Sequence, residues 1–169
     1  MKKSLIAIGL VATIALTACG GKKADSASSA APDAASTKAA TAGGFGSALD
    51  LGEGISLTIT APKSFVPGQF ASNYLKGQAA NIFDVTVKNA GKADLDPSTI
   101  LFTVSSGTNA CTDVLDGDNG ITGAPTDPIT AGTTVTFKFA IACDAKAGAP
   151  LGLAVAVGAG KASISGKVA

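Results

Sequence analysis

Asp113, Asp116, Asp118 and Asn119 crowd one short stretch, with Gly117 and Gly120 among them. Hard oxygen donors at that density are what a calcium ion requires. Read as an EF-hand loop from Asp116, the pattern fails: Gly120 falls at the fifth position instead of the sixth, and no glutamate closes the site. The plainer expectation is a tight turn whose side chains bond their own backbone. Asp113, Asp116 and Asp118 therefore stand as weak calcium candidates, and no cofactor is expected. Asp94 and Asp96 could be paired carboxylates for acid–base work, but they precede Pro97, where aspartate caps backbone N–H groups. Serines are plentiful, yet the 169 residues hold no histidine to activate them. A Ser–Lys dyad lacks the S-x-x-K spacing before a helix; Ser72 and Lys76 are four apart. Arginine and tryptophan are absent too, so hydrolytic, zinc and nucleotide chemistries lose their usual parts. A non-catalytic chain is the expectation. A formal charge of +1 also argues against nucleic acid as a partner.

Cys111 and Cys143 make a pair, and two thiols without a histidine leave a zinc site incomplete. In an exported domain a Cys111–Cys143 disulfide is expected, and closing a loop of about 32 residues stabilises by ~3.5–4 kcal/mol. Export is what the N-terminus announces. Lys2 and Lys3 precede an uncharged apolar run, Leu5 to Ala15. Eleven residues at ~1.5 Å each cannot cross a hydrocarbon core of ~30 Å, so the run is a signal h-region. It ends in Leu16-Thr17-Ala18-Cys19-Gly20, which resembles the lipobox of bacterial lipoproteins. That resemblance implies a diacylglycerol on the Cys19 thiol and cleavage just before it. Two acyl chains hold a protein stably where one holds it marginally. The expected location is the extracytoplasmic face of the cell membrane, with the membrane as a partner through the lipid.

Three segments follow: a signal peptide at 1–18, a lipidated Cys19 heading a disordered tether to 47, and a folded domain at 48–169. The tether is rich in alanine, serine and glycine and cannot bury enough surface to offset the entropy of ordering it. Phe45 is its only large apolar residue.

After Ser47 the apolar residues recur with a period of two. Ile55, Leu57 and Ile59 alternate with hydroxyls, and Phe83, Val85 and Val87 alternate with Asp84, Thr86 and Lys88. Val135, Phe137, Phe139 and Ile141 do the same, as do Leu151 to Val157 and Ala162 to Val168. Turn residues separate the runs, among them Pro67-Gly68, Asn89-Ala90-Gly91, Asp96-Pro97 and Asn119-Gly120. The pattern predicts an all-β chain: an antiparallel β-sandwich of about seven strands.

The stretch Phe83-Asp84-Val85-Thr86-Val87-Lys88-Asn89-Ala90-Gly91-Lys92, then Leu95-Asp96-Pro97, resembles a family of bacterial exported immunoglobulin-like domains of unknown function. The loop from Asp116 to Pro125 and the turn-and-strand segment Pro128 to Phe139 share the likeness. That family's fold is shared with a small secreted immunoprotective antigen of mycobacteria. The resemblance implies an immunoglobulin-like sandwich displayed on the cell surface and carries no catalytic residues. The chain departs from the family's pattern in Cys111 and Cys143, and in a C-terminus without aromatic or acidic residues.

One loop lacks alternation: Ser64 to Lys76, with Phe65, Phe70 and the single tyrosine, Tyr74. Aromatics on a loop at the end of a sandwich are recognition groups or core plugs. Phe65, Phe70 and Tyr74 are the candidate partner-binding residues. The expected function is a lipid-anchored binding or adhesion module for an envelope or extracellular protein or glycan. The competing readings are a small-ligand or calcium carrier, and a structural or immunogenic surface protein.

Overall fold

The computed structural model describes residues 39–169. The signal peptide, Cys19 and most of the expected tether lie outside the described residues. Eleven strands run through these residues: β1 (Thr41–Gly44), β2 (Leu49–Gly52), β3 (Ile55–Ile59), β4 (Lys63–Ser64), β5 (Ala79–Asn89), β6 (Leu101–Ser106), β7 (Asn109–Ala110), β8 (Thr112–Asp113), β9 (Thr134–Cys143), β10 (Pro150–Val157) and β11 (Gly160–Lys167). They form two sheets, ordered β1-β11-β10-β6-β7 and β2-β3-β5-β9-β8, with β4 laid beside β5. All pairings are antiparallel except β1 on β11. The fold is the expected immunoglobulin-like β-sandwich. The strands beyond seven are short ones, mostly of two to four residues. Such pieces are too brief for alternation to register in a sequence.

Alternation builds the core directly. Leu57, Ile59, Phe83, Val85, Val87 and Ile141 point inward from one sheet, and Leu151, Leu153, Val155 and Ile164 from the other, all essentially inaccessible to solvent. Each such side chain stabilises by ~1.5–3 kcal/mol through burial. A run of phenylalanines crosses the interior. Phe83 lies between Phe45 and Phe139, at ring-centroid distances of 5.6 and 6.1 Å. Phe102 stacks on Phe139 at 4.2 Å, joining the two sheets.

The folded domain begins before residue 48. β1 pairs in parallel with β11, Thr41 against Ala162, and Phe45 packs on the core. Gly166 makes the room: a Cβ there would lie 2.5 Å from the Phe45 ring. Thr41-Ala42-Gly43-Gly44 shows no apolar alternation because an edge strand of small residues is held by backbone bonds, with Phe45 as its one anchor.

Candidate functional site

The long strand β9 explains why a loop folds over one end of the sandwich. Its outward residues change from Thr134, Thr136 and Lys138 to Ala140 and Ala142. Both alanines are buried although they face away from the main core. With Ile82, Val114 and Ile121 they form a second, smaller apolar cluster, covered by Phe65, Ala71 and Tyr74 from the loop between β4 and β5.

Polar groups fix the loop's course. The Gly68 N–H donates to Asp116 Oδ2 at 2.8 Å. Asn119 Nδ2 donates to the same oxygen at 2.7 Å, and the Asn119 N–H lies 3.4 Å from Asp116 Oδ1. Asn119 also reaches the Val66 carbonyl at 3.4 Å, and Lys138 Nζ donates to the Asn119 carbonyl at 2.8 Å. The Ser72 N–H donates to the Leu115 carbonyl at 2.9 Å. Asp116 is buried among these donors, and the Gly68 and Asn119 bonds hold its carboxyl below the usual carboxylate range. The space beside Gly68 is tight, since a Cβ would sit 3.1 Å from carboxylate oxygens of both Asp116 and Asp118, which would have to shift slightly.

Two of the three aromatic candidates are therefore plugs. Phe65 and Tyr74 pack on the second cluster, and only Phe70 stands out, 81 % exposed. Its apolar companions are residues that sequence reading passed over: Val66 at 87 %, Leu75 at 71 %, and Leu115 at 47 %, bridged to the loop through Ser72. An interest in aromatic residues hid them. Bulky aliphatics in a stretch without alternation were the available signal.

No group of three metal-capable side chains converges among the described residues. Asp116 Oδ2 accepts from two N–H donors, Gly68 and Asn119. Asp113 lies on β8 at the rim of a separate groove, where burial raises its pKa. Asp116 instead caps a 3-10 turn over Gly117–Asn119. Asp96 caps another over Pro97–Thr99, as the Asp-Pro step implies, and the Ser98 bonds lower its pKa.

Cys111 and Cys143 are joined, with a Cα–Cα distance of 4.4 Å. Cys111 is the single residue between β7 and β8, where the chain leaves one sheet and enters the other. The bridge thus fastens that crossing to β9, beside the loop's footing on Ala142.

No family model matches this chain, and no curated protein matches it. Among solved structures it is similar to a candidate lipoprotein (ycdA) from Bacillus subtilis subsp. subtilis str. 168, with 16 % identity and a TM-score of 0.57. The match covers 70 % of this chain and spans only 38 % of that one. It is also similar to an uncharacterized β-sandwich protein from Clostridium difficile 630, with 16 % identity, a TM-score of 0.46, and 76 % and 95 % of the two chains covered. At this identity the first likeness shows the fold alone. Among the described residues no helix is long and apolar enough to cross a membrane.

Proposed function

We propose that this protein is a lipoprotein, anchored through Cys19 at the extracytoplasmic face of the cell membrane, whose sandwich is a non-catalytic module for binding another protein. The resemblance of residues 16–20 to a lipobox supports the anchor. The likeness of residues 83–97 to exported immunoglobulin-like domains, and through them to the mycobacterial antigen fold, supports the surface setting.

The observation that carries the binding role is the exposure of four large apolar side chains, Val66, Phe70, Leu75 and Leu115, on the loop and the segment paired with it. Val66, Phe70 and Leu75 project from a loop tied down through Asp116, and Leu115 from the segment bridged to that loop at Ser72. Large apolar side chains held out in water by a fixed backbone cost little conformational entropy when a partner covers them. A protein suits such side chains better than a glycan, which asks for polar groups beside its rings.

Two experiments test the reading. Metabolic palmitate labelling is expected to mark the wild type and to miss Cys19→Ala. Cross-linking on intact cells is expected to yield a discrete adduct that Phe70→Ser and Leu75→Ser remove. Equal cross-linking by wild type and both variants defeats the binding role.

A further inference from the structure

A second groove adjoins that loop at Leu115 and opens along β6. β6 is covered on its outer side by β7 only at Ser105 and Ser106, and the Val104 carbonyl accepts from the Cys111 N–H at 2.9 Å. Along Leu101–Thr103 no described strand pairs with that edge. Sheet edges are usually blunted by charge, bulges or brevity. β1 is four small residues, β2 carries Asp50 and a bulge, and β8 is two residues with Asp113. The sequence of β6, Leu-Phe-Thr-Val-Ser-Ser, has none of these devices, and Leu101 is 63 % exposed.

Against this edge opens an apolar hollow of about 200 Å³, lined by Leu101, Phe102, Phe139, Val114 and Leu115 with Asp113 at its rim. It has room for one branched side chain. The Asp113 carboxylate has no hydrogen-bond or ion-pair partner among the described residues, and partial burial raises its pKa. A cation placed there would relieve that cost.

We infer that this groove takes an extended segment of a partner protein, added as a strand along Leu101–Thr103, with a branched apolar side chain in the hollow and a lysine or arginine beside Asp113. Main-chain bonds supply affinity in such an arrangement, and the hollow and the carboxylate supply selectivity. The inference goes beyond the loop reading and shares with it only Leu115.

The test uses the full-length protein and acetylated octapeptides that alternate threonine with leucine. One series carries lysine next to the central leucine and the other carries glutamate. Amide NMR shifts are expected at Leu101, Phe102 and Thr103, with the lysine peptide binding about five- to tenfold tighter. Asp113→Asn is expected to erase that preference while leaving binding. N-methylation of alternate peptide amides is expected to abolish it, and Phe70→Ser to leave it unchanged. Equal affinity for the two series, indifference to N-methylation, shifts confined to residues 64–78, or no binding at millimolar peptide each overturn the inference. Protection of the Phe102 amide that grows with protein concentration alone assigns the edge to a second copy and overturns it too.

Discussion

The two ends of β5 are finished in opposite ways. Beyond Asn89 the chain turns on glycines. Gly54 and Gly91 meet back to back, so that a Cβ on Gly54 would lie 2.6 Å from the Gly91 nitrogen. The buried Asn89 side chain ties the turns together, donating to the carbonyls of Ala93 and Ile129 at 2.9 and 2.8 Å and accepting from the Gly91 N–H at 3.0 Å. The shallow groove there, about 880 Å³, is rimmed by Glu53, Lys92, Asp94 and Lys161. At the Ala79 end a sixteen-residue excursion, 63–78, is held through Asp116 and leaves Val66, Phe70 and Leu75 in water. Both ends take hydrogen-bond partners from distant segments, Asn89 from Ile129 and Gly68 from Asp116. They differ in what they show solvent: a rim with charged residues at the glycine end, and exposed Val66, Phe70 and Leu75 at the other. Backbone order therefore says nothing about which end binds; what the ordered backbone holds out does.

The contrast breaks most readily at the glycine end. Gly54→Val places a branched side chain at φ +80° against backbone. Strain and overlap together are expected to cost about 3–5 kcal/mol in urea unfolding, enough to leave much of the protein unfolded at 37 °C. Removing the disulfide with the Cys111→Ala, Cys143→Ala pair is expected to cost ~3.5 kcal/mol by the same measurement. It should also loosen the loop end first, seen as faster amide exchange at Ala140 and Ala142 than at Val87.

Smaller effects separate the ends more finely. Asp116→Ala is expected to speed proteolysis within 63–78 several-fold while cleavage near Gly54 and Gly91 stays unchanged. Its depressed pKa sets the pH dependence. Folding favours the ionised carboxylate, so the contribution is complete above about pH 4 and is lost as pH falls through the folded value. Asp116→Asn should flatten that acid limb. Asp113 works in the opposite sense: its raised pKa makes ionisation costly, and Asp113→Asn should stabilise slightly at pH 7. The smallest effect on stability is Phe70→Ser, within about 0.5 kcal/mol by thermal denaturation, although the same change is expected to abolish partner cross-linking.

Long strands were legible in the sequence because one wet face and one dry face imprint a period of two. The disulfide was legible because two cysteines remained in a chain whose N-terminus reads as an export signal. The acidic turn was legible as local capping, since aspartate, asparagine and glycine bond their own backbone. That Asp116 would also reach Gly68, 48 residues away, was not. Such a bond depends on where two loops land after the sheets have paired. β1 was not legible either, because glycine and alanine give an edge strand no apolar signature. The fate of Phe65 and Tyr74 was written in β9 rather than in their own loop. Alanine at 140 and 142, where threonine and lysine stood earlier in the strand, marks a surface awaiting a cover.

The parallel register of β1 on β11 gives the domain a base and a tip. Thr41 lies across from Ala162, just past the Gly160 turn, so the chain enters at the glycine end. The eleven residues of β5 then run ~36 Å to the Ala79 end, at ~3.3 Å per residue. The described chain thus begins at the end of the domain opposite the one where β5 starts, from which the 63–78 loop departs.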